Sequence, residues 1–495
     1  MSGPQGERRS DGGRRPQGDP ARRATGAAWS LDPDRCFSPE PSRRALARAL
    51  HAEVAGLPLV SPHGHVPPSL LLDDAPLGDP ASTFVVPDHY LLRMLHSQGV
   101  PLEQLGVARL DGATVETDPR AIWREFCARF HLFAGTPSGL WLKHELVDLF
   151  GLTERPSAAN ADRTYDHLAA RLAEPGYRPR ALFAHFGIEV LATTDAATDS
   201  LDEHSELQRE GMNVVPTFRP DAVIDPTRED FLANLRLLEE RSGVAVDGYA
   251  AYLAALEQRR AAFKAAGATA TDHAALTADA APLPEAEAVF DRVLAGAATE
   301  AERRAFAANM LMVMARMSAE DGLVMQLHVG SLRDHHRPTF ERFGRDKGAD
   351  MPIAGGWTRQ LAPLLNELGA HERFRLVLYT LDETTYSREL APLAGFYPTL
   401  RLGAPWWFFD SVLGMERYLD AVSETAGIYN LAGFVDDTRA YPSIPARHDV
   451  WRRVTCDWLA GRVVRGLIDE DQAPALARAL AYDLTKETYR LGANG

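Results

Sequence analysis

Eight short apolar runs, each ending in polar or ionisable residues and separated by helical sequence, limit what this chain can fold into. They fall at 57–60, 188–195, 213–219, 268–273, 323–328, 373–379, 400–404 and 433–437. Apolar runs of this length between helical stretches read as buried parallel strands. Eight of them predict an α/β fold, a (β/α)8 TIM-like barrel, whose chemistry belongs at the carboxyl ends of the strands. Between the first two runs, residues 66–185 carry helical patterns only and read as a large helical insertion after strand 1. The expected organisation is a tail at 1–28 and a barrel domain at 29–495 that contains the insertion.

Local signals fill in the helices. An amphipathic pattern over 41–55 leads into the first strand, and a Pro/Asp-rich loop follows to about residue 86. Asp88 is placed to cap a helix that starts at His89. Further helices are expected within 118–185, then over 228–266, 284–317 and 450–490, and Thr299 with Glu302 has capping-box spacing. The first 28 residues hold Gly, Arg, Pro and Gln with almost no large apolar side chain, so disorder is expected there.

Charge and cysteine usage exclude several classes. The chain has 53 basic and 68 acidic residues, a formal charge of −15, which argues against nucleic acid or an anionic membrane as a partner. No apolar run approaches the length of a membrane span. Cys36, Cys127 and Cys456 are odd in number and match no zinc spacing, so reduced thiols in a cytoplasmic protein are expected.

The polar strand ends carry the chemistry. His63 and His65 close the first run two residues apart, so both imidazoles leave the strand on one side. His328 ends the fifth run and Asp437 the eighth. These four are the candidate ligands of one divalent metal, with zinc the expected ion and iron, manganese or cobalt compatible with the same donors. Arg219, Arg333 and Arg439 stand at or just beyond strand ends. Their planar forks grip carboxylates, so several of them round one metal point to an anionic small-molecule substrate.

The order of blocks along the chain is similar to that of the uronate (glucuronate) isomerases of the amidohydrolase superfamily. The blocks are His63-Gly64-His65, Asp88-His89-Tyr90 with Arg93, Thr193-Thr194-Asp195, Pro216-Thr217-Phe218-Arg219-Pro220-Asp221, Asp272-His273, Gln326-Leu327-His328-Val329-Gly330 with Arg333, Trp406-Trp407-Phe408, and Asp437-Thr438-Arg439. The resemblance spans roughly residues 30–493 and implies a barrel of the metal-dependent hydrolase type. The chain departs from the family pattern at Ser61 and Gly64, where Asp and Cys are usual, and at Asp436-Asp437-Thr438-Arg439, where Thr-Asp-Ser-Arg is usual.

The resemblance implies aldose–ketose isomerisation of a hexuronate, D-glucuronate to D-fructuronate and D-galacturonate to D-tagaturonate, by proton transfer between C2 and C1. It implies Asp437, Tyr90, His89 and Arg439 as catalytic residues. Arg219 is then the expected clamp for the substrate carboxylate, with Arg333, Asp272, His273 and Trp406 as further substrate contacts. A homo-oligomer is compatible with this reading. The alternatives are a metal-dependent hydrolase of the same superfamily acting on an anionic substrate, and a non-catalytic sugar-acid binding protein.

Overall fold

The computed structural model describes residues 28–492. All but the last residue of the expected tail lies outside them.

A helix at Pro41–Val54, capped by the Glu40 carboxylate, delivers the chain to the first strand, Leu59–Ser61. That strand pairs in parallel with Ile188–Ala192, which pairs with Val214–Val215. The ladder runs on through Asp195–Ala196 beside Phe218–Arg219. The third strand loses regularity at Pro216, which has no N–H to give a neighbour. The bonds from Thr193 N to Val215 O and from Asp195 N to Thr217 O nevertheless keep the two halves in register. Ala270–Ala275, Val324–Val329, Leu376–Thr380 and Leu400–Leu402 follow, all parallel, in the order of the sequence.

The eighth position differs from the expectation. The stretch 431–438 makes one isolated bridge, Leu431 to Leu402, and no regular ladder. The reason lies in Gly433, whose φ of +79° is a left-handed conformation and whose Cβ, were there one, would sit 2.1 Å from Thr485 Oγ1. The backbone N–H of Phe434 donates to that hydroxyl at 3.1 Å instead of to a strand. The segment still closes the barrel. Ala432 N bonds Leu402 O on one side, and His65 N bonds Thr438 O on the other.

From Val66 to Phe186 every regular element among the described residues is helical. These helices have an apolar cluster of their own, built on Leu91, Trp123, Phe126, Phe133 and Phe150, distinct from the main cluster round the barrel. Two short helices, Pro68–Asp73 and Pro80–Phe84, lie where a loop was expected, and each opens on the proline favoured at a first helical position. The tract expected over 228–266 divides into Phe231–Ser242 and Tyr249–Ala265, the first ending at Gly243 with φ +71°. Thr299 and Glu302 form the capping box of Glu300–Asp321.

Candidate active site

The carboxyl ends of the strands open into a cleft of about 750 Å³. His63, His65, Asp272, His328 and Asp437 lie at its floor, and Arg219, Arg333 and Arg439 line it. His63 and His65 lie just beyond the end of the first strand, in irregular chain past Ser61, and both aim Nε2 at Asp437 Oδ1, at 3.4 Å and 3.1 Å. Asp437 has φ +40°, a left-handed conformation that short polar side chains tolerate best. Its other oxygen accepts from Trp406 Nε1 at 2.6 Å, which fixes the carboxylate's rotation.

His328 stacks on His63 with ring centroids 4.8 Å apart and on Tyr379 at 4.1 Å. Its Nδ1 is 2.7 Å from Asp272 Oδ1, so its Nε2 is turned toward the cleft floor. Two donor sets therefore share His63: His63, His65 and Asp437, and His63, Asp272 and His328. Buried Asp437 Oδ1 and His328 Nε2 have no hydrogen-bond partner among the described residues. Buried polar atoms left unpaired at the centre of a nitrogen and oxygen donor set fit a divalent cation.

The helix His89–Ser97 brings in the next layer. Asp88 Oδ1 accepts from Tyr90 N at 2.8 Å and Leu91 N at 3.2 Å, which is the cap expected from sequence. His89 and Tyr90, in the first turn, stack at 4.4 Å. Burial pulls the His89 pKa down to about 3, helped by the Arg439 cation, so the imidazole is neutral at physiological pH. Burial pushes the Tyr90 phenol well above its ordinary range, so it stays protonated. Burial also works to raise the Asp437 pKa, but the adjacent His63 and His65 imidazoles outweigh it and hold the carboxylate well below its ordinary range.

The three arginines differ in their partners. Arg219 Nε donates to Asp221 Oδ2 at 2.8 Å and its Nη1 lies 3.5 Å from Asp272 Oδ2. Arg333 lies over the Trp407 ring at 4.8 Å and reaches Asp350 at 3.1 Å. Arg439 meets Asp346 at 3.0 Å, and Arg333 lies 3.6 Å from the other oxygen of that carboxylate. His273 is not brought to the cleft. It alternates with Asp272 along one strand, is fully buried on the opposite side, and pairs with Thr271 Oγ1 at 3.0 Å.

Two cleft residues, Arg447 and Asp346, and the buried Glu145 outside the cleft lining were not anticipated. Arg447, fully buried, pairs with Asp410 at 2.9 Å and lies 3.8 Å over the Trp141 ring. Glu145, buried in a π-helical turn, has its pKa raised to about 8, by burial first and then by the Asp88 carboxylate. Asp346 lies in a loop with no motif. The flanking Gly344 and Gly348 were its one local signal in the sequence, and residue 346 between them is left-handed.

A family model described as glucuronate isomerase matches residues 42–489. A uronate isomerase from Nostoc punctiforme is 56% identical over 465 residues, covering 93% of this chain and 98% of the relative. A crystal structure of glucuronate isomerase from Caulobacter crescentus is 47% identical, covers 94% of this chain and 98% of its own, and superposes with a TM-score of 0.92. A uronate isomerase structure from Thermotoga maritima is 29% identical, with coverage of 93% and 99% and a TM-score of 0.86.

Proposed function

This chain belongs to the glucuronate isomerase family, a group of aldose–ketose isomerases, and on that premise we propose that it interconverts D-glucuronate with D-fructuronate and D-galacturonate with D-tagaturonate. The observation that carries the reading is the convergence of His63, His65 and Asp437 at the floor of an arginine-lined cleft. His63, His65 and Asp437, with His328 beside them, would hold one divalent ion, with zinc proposed from the imidazole and carboxylate donors. Such an ion would supply Lewis-acid polarisation of a sugar oxygen.

The reaction moves one proton from C2 to C1 and one from the C2 hydroxyl to the C1 oxygen, through a cis-enediol. Asp437 is ionised and is the proposed acceptor and donor for these transfers, oriented by Trp406. Tyr90 keeps its proton and acts as a hydrogen-bond donor to a sugar oxygen. His89, neutral at the pH of the reaction, can accept a hydrogen bond from a sugar hydroxyl beside it.

The arginines divide the work of binding. Asp221 and Asp272 already compensate Arg219, so we assign it to ordering those carboxylates and meeting a substrate hydroxyl. Arg333 and Arg439, more exposed and facing each other across one carboxylate, are the proposed seat for the substrate's own carboxylate. A cytoplasmic setting fits the three free cysteines, and no described helix is long and apolar enough to cross a membrane.

Two measurements test the reading. Purified protein loaded with zinc is incubated with D-glucuronate and assayed for a ketose. Metal content is compared between wild type and His63→Ala. Ketose formation and loss of bound metal in the variant are expected. A folded, metal-loaded protein that makes no ketose from either uronate would sink the function, and equal metal content in the two proteins would sink the ligand set.

A further inference from the structure

Asp346 holds a place that a ligand should occupy. Its Oδ2 is 3.0 Å from Arg439 Nη2 and its Oδ1 is 3.6 Å from Arg333 Nη1, so one carboxylate spans two guanidinium groups inside the cleft. All three side chains are about 40% exposed. The other partner of Arg333 is of a different kind. Asp350 is 3% exposed as a side chain and accepts the backbone N–H of Asp334 at 2.7 Å. Arg333 thus has one fixed anchor and one exposed partner, while Asp346 is the one ion-pair partner of Arg439 among the described residues.

The backbone puts the carboxylate there. Residue 346 has φ +61°, between Gly344 at +80° and Gly348 at +82°. Gly348 is pressed against the helix that carries His89, where a Cβ would lie 2.8 Å from His89 O and from Arg93 Cβ. The loop is therefore seated on the catalytic helix. Freeing the arginine pair needs only a turn of the Asp346 side chain toward solvent. Exposed ion pairs exchange partners at little cost, because water and a new anion replace what is lost.

We propose that Asp346 is an internal stand-in for the substrate carboxylate, occupying the Arg333–Arg439 seat in the free enzyme and yielding it to a uronate. This rests on the assignment of that pair to the substrate carboxylate. Asp346 makes the seat selective. A neutral aldose has nothing with which to replace the carboxylate. A monovalent inorganic anion replaces it poorly. A sugar acid replaces it while the rest of the molecule is held elsewhere in the cleft. Without Asp346 the paired cations would attract any small anion.

Asp346→Asn keeps the shape and removes the charge. The KM for D-glucuronate is expected to fall about three- to tenfold, by a larger factor than kcat changes. The Ki of sulfate as a competitive inhibitor is expected to fall at least tenfold. In Asp346→Asn/Arg439→Met both gains should vanish. A KM that rises or stays the same in Asp346→Asn, with the circular dichroism of wild type, overturns the proposal and makes Asp346 a support for the arginines. If Asp346→Asn gains sulfate affinity while Arg439→Met leaves the KM for D-glucuronate untouched, the stand-in is right about anions but the substrate carboxylate binds elsewhere. That outcome also overturns the proposal.

Discussion

At the scale of single residues, the two kinds of arginine lead to opposite expectations. Arg439→Met removes a charge-assisted contact worth about 1.5–3 kcal/mol, so kcat/KM for D-glucuronate should fall about 10- to 100-fold. A neutral aldose of the same configuration should be affected much less. Arg219→Met should slow both sugars by the same factor and lower the melting temperature, because it strands buried Asp272 and half-buried Asp221. Steady-state kinetics with both sugars separates the cases, and selective loss in Arg219→Met would return the carboxylate to that residue. Glu145 gives a pH dependence. Its carboxyl is raised from 4.5 to about 8 in the fold, so the unfolded chain ionises first as pH rises. Stability is thus intact below about pH 4.5 and declines through about pH 8, by on the order of 5 kcal/mol at most. Glu145→Gln should melt higher than wild type, with a clearly larger margin at pH 8.5 than at pH 5; an equal margin at both would show that Glu145 does not titrate there. His63, His65, His328 and Asp437 were legible because each stands at or just past the end of an apolar run, a position that needs no knowledge of contacts. Asp346 and Arg447 were not, since their roles come from groups about 90 and 40 residues away in sequence.

At the scale of elements, seven strands were legible because most are short apolar runs that the barrel buries, with Ala270–Ala275 the weakest in apolar content. The eighth was read as a strand on the same grounds. Its departure comes from Gly433 and Thr485, two residues 52 apart whose meeting no local pattern announces. Gly433→Ala should cost about 2–4 kcal/mol, since it adds a Cβ where both Thr485 Oγ1 and the Thr485 backbone stand and requires a left-handed φ. Thermal unfolding and metal content measured together would check this. Wild-type values for both would mean that the segment is positioned by something other than Thr485. His273 shows the limit of strand logic from the other side: its block pointed to the site, and the two-residue period turned it away.

At the scale of the whole molecule, the barrel is closed at one place by little backbone. Between the first strand and the eighth segment the main chain offers the bond from His65 N to Thr438 O. Across the same seam His63 and His65 face Asp437. An ion held by these three would bind the folded state alone and stabilise it by about 4 kcal/mol at a thousandfold excess over its Kd. Removing metal with a chelator should lower the melting temperature by several degrees and speed hydrogen exchange at 431–438 more than at 324–329. His63→Ala should show the same drop without chelator and no further drop with it. Chelation that leaves the melting temperature unchanged would mean that the seam is held without the ion. Enzymes commonly trade robustness for turnover, because the groups that do chemistry are a burden on the fold that carries them. On the proposed assignment the same atoms would fasten the barrel and serve the reaction. A lineage that lost the ligands would lose the closure with them, so drift toward a sturdy but inert descendant is obstructed by the architecture itself.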